Sequence, residues 1–289
     1  MFEFNKVYNF YKSKNDFSPI ILSSPHSGRL YQKEYLDLLN FDLMDLRIFE
    51  DCLIDELYEF GPDIGCNFLV SNVPRLMIDL NRGKDEIDKE MFFNLPGDSF
   101  CNSNRVLSGI GLFPKLRGSE YIYKEKLDWL IFKKLIDNAY DVWHSKLEKE
   151  IFEVKTTFSD IVLLDCHSMP SLDINGYKIN NLPDFVIGDL WGKTSKKEIT
   201  QFLVDFLKKE GFKVSTNSPY AGAHILKKYG KPEKGINALQ IEIRKDLYLD
   251  EKELSINENY NNIKRILQKM ILNLSGLVNE KNVYQKSAE

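Results

Sequence analysis

Two of the four histidines close runs of apolar residues. His26 ends the stretch Pro19–His26 in the context SSPHSG, and His167 ends Asp160–His167 in the context LLDCHS. A glutamate, Glu242, sits late in a third such run, Asn237–Arg244. An unpaired carboxylate inside an apolar strand is costly, so Glu242 is either paired or functional. Two imidazoles and a carboxylate on adjacent strand ends form a donor set for zinc, with one coordination position left for water. A plainer account fits the same residues. Each histidine is then held by hydrogen bonds within the fold, and Glu242 is an ion-pair partner of Arg244, two residues on and on the same strand face.

Two further concentrations of polar residues lie between the first and second of these runs. FEDCLIDELYEF carries Glu50, Asp51 and Asp55, and on a helix Asp51 and Asp55 would share one face at i, i+4. They either complement a helix N-terminus or supply the oxygen ligand that a His₂-carboxylate shell needs. RLMIDLNRG reads as a strand-like apolar stretch bearing Arg75, Asp79, Asn81 and Arg82. Arginine forks match carboxylates bidentately and asparagine adds neutral donors, which suits a clamp for an anionic substrate. The alternative is that Asp79 and Arg82 pair with each other across a turn. NSPYAGAHILKKYG places His224 after Pro and Gly turn signals, in a loop that either lines a pocket or lies plainly on the surface. His144 falls within a long amphipathic pattern and reads as a satisfied helix-face histidine.

The elements that must position these residues alternate in type. Strands are expected at Pro19–His26, Cys66–Val73, Asp160–His167, Asp184–Leu190, Phe212–Asn217 and Asn237–Arg244. Several are continuous β-branched and leucine runs, the mark of central strands buried on both faces. Apolar i, i+3, i+4 spacing predicts helices over Leu43–Phe60, Tyr123–Lys155, Lys196–Glu210 and Glu251–Leu277. Strands alternating with helices imply an α/β fold, a three-layer sandwich with a mostly parallel central sheet. Sites in such sheets form at the carboxyl ends of strands. No internal repeat or Pro/Gly/Ser linker divides the chain, so a single domain over residues 1–289 is expected. It carries a long loop excursion near 83–120, and the last ten residues are expected to fray.

Composition narrows the function. The 289 residues carry 39 Lys+Arg against 43 Asp+Glu, a net charge of −4, which lacks the basic bias of a nucleic-acid binder. No apolar run reaches the roughly 18 residues that cross a bilayer. The beginning of the chain lacks the basic start, apolar core and small-residue cleavage site of a signal peptide. Cys52, Cys66, Cys101 and Cys166 are widely spaced, which argues against a disulfide scaffold. A reducing cytoplasm is the expected location. The sequence sets no oligomeric state.

Taken in order, these pieces resemble the N-formylglutamate amidohydrolase family. The resemblance rests on SSPHSG, Asp51–Tyr58, RLMIDLNR, LLDCHSM, Phe185–Gly192, Asn217–Gly222 and Leu239–Glu251, and spans Ile20–Lys252. It implies a zinc carboxypeptidase-like fold with a mixed central sheet flanked by helices. It implies that His26, Asp51 and His167 ligate Zn2+ or another divalent metal, with Glu50 and Asp55 as alternative acidic ligands. Asn81 and Arg82 would hold a substrate carboxylate, with Arg75, Arg244 and His224 completing the substrate site, and Glu242 would be the general base. The implied reaction is hydrolysis of a small anionic N-acyl amino acid, N-formyl-L-glutamate, to formate and L-glutamate. Gly222-Ala223-His224 departs from the Gly-Gly-aromatic pattern of the family, which bears on the acyl group or amino acid rather than the reaction class. A related N-acyl-amino-acid deacylase, a small carboxypeptidase or a non-catalytic binding protein on the same fold are the alternatives.

Overall fold

The computed structural model of the chain describes residues 4–14, 17–97, 100 and 103–286. Cys101 and part of the expected 83–120 excursion lie outside them, as do residues 287–289 of the tail. Each apolar run read as a strand forms one: β2 (Ile20–Ser24), β3 (Asn67–Ser71), β4 (Ile161–Met169), β5 (Phe185–Gly188), β6 (Val214–Thr216) and β7 (Ile236–Arg244). A short strand, β1 (Tyr8–Tyr11), joins them. The seven make one sheet in the order β1-β3-β2-β4-β7-β5-β6. Strand β4 runs parallel to β2 and to β7, β5 is antiparallel to β7, and β6 is parallel to β5. The protein is an α/β fold with a mixed, mostly parallel central sheet flanked by helices.

The chain divides into two compact units. One comprises Phe10–Ser24, Cys52–Leu69 and Leu147–Glu289 and carries most of the sheet. All nine residues of β4 are buried, as continuous apolar strands in a central position must be. Helix α3 (Lys197–Lys209) buries Ile199, Leu203 and Leu207, and α5 (Tyr260–Lys286) buries Ile263, Leu267, Ile271 and Leu274. Both sets repeat at i, i+3, i+4 spacing and form the apolar faces of those helices. Cys52, Cys66 and Cys166 are buried, and burial pushes the Cys66 thiol up to about 12. Such a thiol carries almost no thiolate and is inert.

The other unit comprises Met1–Asn9, Pro25–Asp51 and Val70–Lys146. Its core is aromatic. Phe92 meets Phe113, Trp129 and Phe132 at centroid separations of 5.5, 5.5 and 5.6 Å, all edge-on. Phe132 in turn meets Tyr123, and Tyr123 meets Tyr35. Edge-to-face pairs of this kind add directional packing to simple burial. Among the described residues no helix is long and apolar enough to cross a membrane.

Three expected helices differ from what forms, each for a local reason. Leu43–Phe60 is broken into Leu43–Leu46, a 3₁₀ turn at Arg47–Phe49 and a single turn at Ile54–Leu57. Leu53 takes a left-handed φ of 61° between them, so Asp51 and Asp55 do not share a helical face. The helix expected from Tyr123 starts only at Trp129, where the Asp128 side chain accepts from Leu130 N. It runs as α1 (Trp129–Leu135), a π turn at Ile136–Tyr140 and α2 (Asp141–Thr157). The last helix begins at Tyr260 rather than Glu251. A hairpin at 249–256 precedes it, and Asn257 and Asn259 bind backbone carbonyls and amides there instead of extending the helix.

RLMIDLNRG is buried but is not a strand. With no ladder to join, three of its carbonyls are satisfied by side chains. Tyr35 Oη donates to Leu76 O at 2.8 Å, His144 Nε2 to Leu80 O at 3.0 Å, and Tyr140 Oη to Arg82 O at 2.7 Å. The π turn is what presents Tyr140 for this contact, and such turns often serve sites.

Gly28 of SSPHSG sits against Val73, just before this segment. A Cβ there would lie 2.1 Å from Val73 O, so only glycine fits. Gly28→Ala is therefore expected to destabilise the protein by about 2–3 kcal/mol through overpacking against backbone. Urea unfolding checks this, and an unchanged midpoint would show that the Val73 carbonyl yields freely.

Candidate metal centre

Strand register builds one side of the site. Side chains two residues apart on a strand share a face, so Asp165 and His167 of β4 point the same way. Across the parallel pairs Ser23 is opposite Asp165, Gln240 is opposite Asp165, and Glu242 is opposite His167. The result is two polar rows on one face of an otherwise apolar sheet. In the deeper row Ser23 Oγ donates to Asp165 Oδ1 at 3.0 Å. Asp165 Oδ2 lies 2.7 Å from His167 Nε2. A carboxylate can only accept here, so Nε2 carries the proton and Nδ1 becomes the nitrogen able to bind a metal.

The second histidine repeats the device. His26 follows directly on β2, and its Nε2 lies 2.8 Å from Asp79 Oδ1. Its Nδ1 lies 3.3 Å from Asp51 Oδ2. Asp51 is held there by its own backbone, which donates to His26 O at 3.2 Å. The break in the expected helix is what allows this bond. Glu50, beside it, is taken up by Arg47 and by Tyr31 Oη at 2.8 Å. Asp55 lies on the Ile54–Leu57 turn. His26, Asp51 and His167 are all buried, and each offers a ligand atom within 4.8 Å of the others. Two imidazoles presented through Nδ1 and one carboxylate are a donor set suited to zinc.

Asp79 is the hub of the RLMIDLNRG segment. Besides His26 it accepts from Arg75 Nε at 2.9 Å and Asn81 N at 2.8 Å, with Arg82 Nη2 at 3.6 Å. Burial alone would raise its carboxyl, but Arg82, Arg75 and His26 together hold it well below the usual carboxylate range. The Asp79–Arg82 pairing foreseen across a turn thus exists, widened to a four-way cluster. Arg82 is itself buried, which lowers its guanidinium to about 10 despite Asp79. Its Nε donates to Ile110 O and its Nη1 to Asn81 O, so the long Asp79 contact is what engages Nη2.

Glu242 accepts from Gln240 Nε2 at 2.6 Å. Arg244 is bound to Asp184 at 2.8 Å and to Asp246 at 2.6 Å. His224 opens the short helix α4 (His224–Tyr229). The loop before it reaches the polar face because Gly188, opposite Gln240, has no side chain. A Cβ there would lie 2.8 Å from Ala221 C and 3.0 Å from Gly222 N. Sequence reasoning passed over Asp165, Ser23 and Gln240. The i, i+2 spacing of Asp165 and His167 was the available signal for the first; Ser23 and Gln240 emerge only from strand register.

The family model described as N-formylglutamate amidohydrolase matches residues 18–249. The N-formylglutamate deformylase of Pseudomonas putida is 27% identical over 253 residues, spanning 86% of this chain and 87% of the relative. The Pseudomonas aeruginosa protein of the same name is 26% identical over 241 residues, spanning 81% and 83%. Among solved structures, N-formylglutamate amidohydrolase from Ralstonia eutropha JMP134 superposes with a TM-score of 0.88 at 28% identity, over 95% of this chain and 99% of that one. A gene product from Agrobacterium tumefaciens shares the fold, with a TM-score of 0.65 at 15% identity over 96% of each chain.

The Asp79 cluster carries its own test. Asp79→Ala strands the buried Arg82 without its carboxylate and is expected to cost about 3–5 kcal/mol. Chemical denaturation measures it. A loss below about 1 kcal/mol, no more than an exposed pair gives, would show the cluster to be solvated in practice.

Proposed function

The chain belongs to the N-formylglutamate amidohydrolase family, and from that premise we propose that it hydrolyses N-formyl-L-glutamate to formate and L-glutamate, with His26, Asp51 and His167 holding one zinc ion. The observation that carries this reading is the buried His-Asp-His group, whose ligand atoms lie within 4.8 Å of one another. The Nε2 bonds of both histidines support it, since each fixes the tautomer that metal binding requires. A divalent cation bound there supplies Lewis-acid polarisation of the formyl carbonyl and lowers the pKa of water.

Glu242 is the proposed general base. It stands opposite His167 in the register of β4 and β7, near the carboxyl ends of both strands. Its carboxylate takes a proton from the attacking water and returns it to the leaving amine, so the two half-steps balance. Arg82, with Asn81 beside it, is the proposed clamp for a substrate carboxylate. Its burial suits that work, because a charge-assisted hydrogen bond strengthens away from water. Arg75 supports the clamp through Asp79. Arg244, held by Asp184 and Asp246, and His224 are proposed for the outer part of the substrate site. The buried Cys66 and Cys166, neither of them in a disulfide, suit a reducing cytoplasm.

Two measurements test this reading. The purified protein is expected to carry about one zinc per chain, and His167→Ala is expected to lose it while remaining folded by circular dichroism. Zinc retained in full by both His26→Ala and His167→Ala would end the ligand assignment. Glu242→Gln keeps size and hydrogen bonding but removes the proton acceptor, so kcat for formate release is expected to fall by about 10²–10⁴ with zinc retained. A zinc-loaded Glu242→Gln enzyme turning over at the wild-type rate would rule out the base.

A further inference from the structure

The hydrogen bond on Glu242 comes from a residue with no evident reason to be polar. Gln240 lies in the interior of β7, 5% exposed, between Ala238 and Glu242 on the same face. Its neighbours in register are Asp165 on one side and Gly188 on the other. The backbone of Ala221 and Gly222 approaches over Gly188. Its Nε2 donates to Glu242 Oε1 at 2.6 Å, while its own Oε1 is buried and has no hydrogen-bond partner. The orientation is dictated by chemistry: an ionised carboxylate accepts only, so the amide must turn its nitrogen toward Glu242. The carbonyl is then left stranded. A buried acceptor without a donor destabilises the fold, and an apolar side chain of the same shape would avoid that cost. Buried groups of this kind are rare enough to need an explanation.

We propose that Gln240 is the positioning residue of Glu242, its amide holding the carboxylate in one orientation while the fold tolerates the stranded carbonyl. The proposal rests on Glu242 being the general base. It also separates Gln240 from the other members of the polar rows. Ser23 and Asp165 serve His167, whereas Gln240 serves the group that moves the proton. A glutamate side chain has three rotatable bonds, and a misplacement of about an ångström in a proton acceptor is enough to lower turnover sharply.

The variant to test is Gln240→Met, which keeps length and volume and removes both polar atoms. We expect kcat to fall about 10- to 100-fold, the range typical of residues that orient a reacting group. KM should stay within about two-fold and zinc content should be unchanged, because neither substrate nor metal ligands are touched. The urea midpoint should be unchanged or raised, since the stranded carbonyl is gone. In a Glu242→Gln background the same change should cause no further loss of kcat, as the two residues act as one unit. Wild-type kcat in Gln240→Met would overturn the proposal. So would a loss of kcat matched by a loss of stability, or failure to accumulate as folded protein, since either assigns Gln240 to the fold. If Glu242→Gln itself turns over normally, the base assignment fails first. That outcome is distinct from an inactive Glu242→Gln beside a fully active Gln240→Met, which fails the positioning role alone.

Discussion

Two carboxylates that are not themselves candidate ligands, Asp79 and Asp165, each accept a hydrogen bond from Nε2 of a buried histidine. A neutral imidazole has one donor nitrogen and one acceptor nitrogen, and only the acceptor can bind a metal. By fixing the proton on Nε2, each carboxylate leaves Nδ1 as the nitrogen able to bind a metal. Both histidines are almost wholly buried, so their tautomer is set by these bonds rather than by solvent. Much of the surrounding structure holds the two carboxylates in place.

The means differ between the two. Asp165 is held by strand geometry: it shares a face with His167 on β4, and Ser23 on β2 donates to it across the parallel register. Asp79 has no sheet to lean on. It accepts from the Asn81 amide, and Arg82, Arg75 and His26 outweigh the burial that would otherwise raise its carboxyl. The segment bearing it gives up a β-ladder, and Tyr35, His144 and Tyr140 satisfy its carbonyls instead. A buried segment without a ladder must account for each backbone polar group in some such way. His144 thereby bears on the placement of Asp79, although its bond in that segment is to the Leu80 carbonyl.

Close backbone approaches complete the arrangement. Gly28 lets the turn after β2 lie on Val73, and Gly188 lets the Ala221-Gly222 backbone descend onto the polar face beside Gln240. At both positions the requirement is space for a neighbouring main chain, which a methyl group would fill. The glycines of SSPHSG and FVIGDL therefore belong to the site as much as the polar residues around them, although neither does any chemistry.

Much of this was legible in the sequence. The six apolar runs, their alternation with helices and the strand-end positions of His26, His167 and Glu242 follow from periodicity, because a central strand must bury both faces whatever surrounds it. The seven ordered motifs carried the family. Other features were not legible, for definite physical reasons. Leu43–Phe60 has helical spacing, yet Leu53 turns left-handed and Asp51 binds the His26 carbonyl, a tertiary contact that overrides local propensity. RLMIDLNRG looks like a strand because burial alone makes a run apolar; only the side chains of Tyr35, Tyr140 and His144, distant in sequence, make an irregular path affordable there. Gln240 and Ser23 carry no signal of their own, since register decides which side chains stand next to Glu242 and Asp165. The sequence by itself determined which elements form and which residues are able to do chemistry, because those depend on the chain's own pattern. Tertiary structure alone decided which nitrogen of His26 faces a carboxylate, because its partner lies 53 residues away, whereas Asp165 stands two residues from His167 on the same strand and only Ser23 and Gln240 come beside it through register.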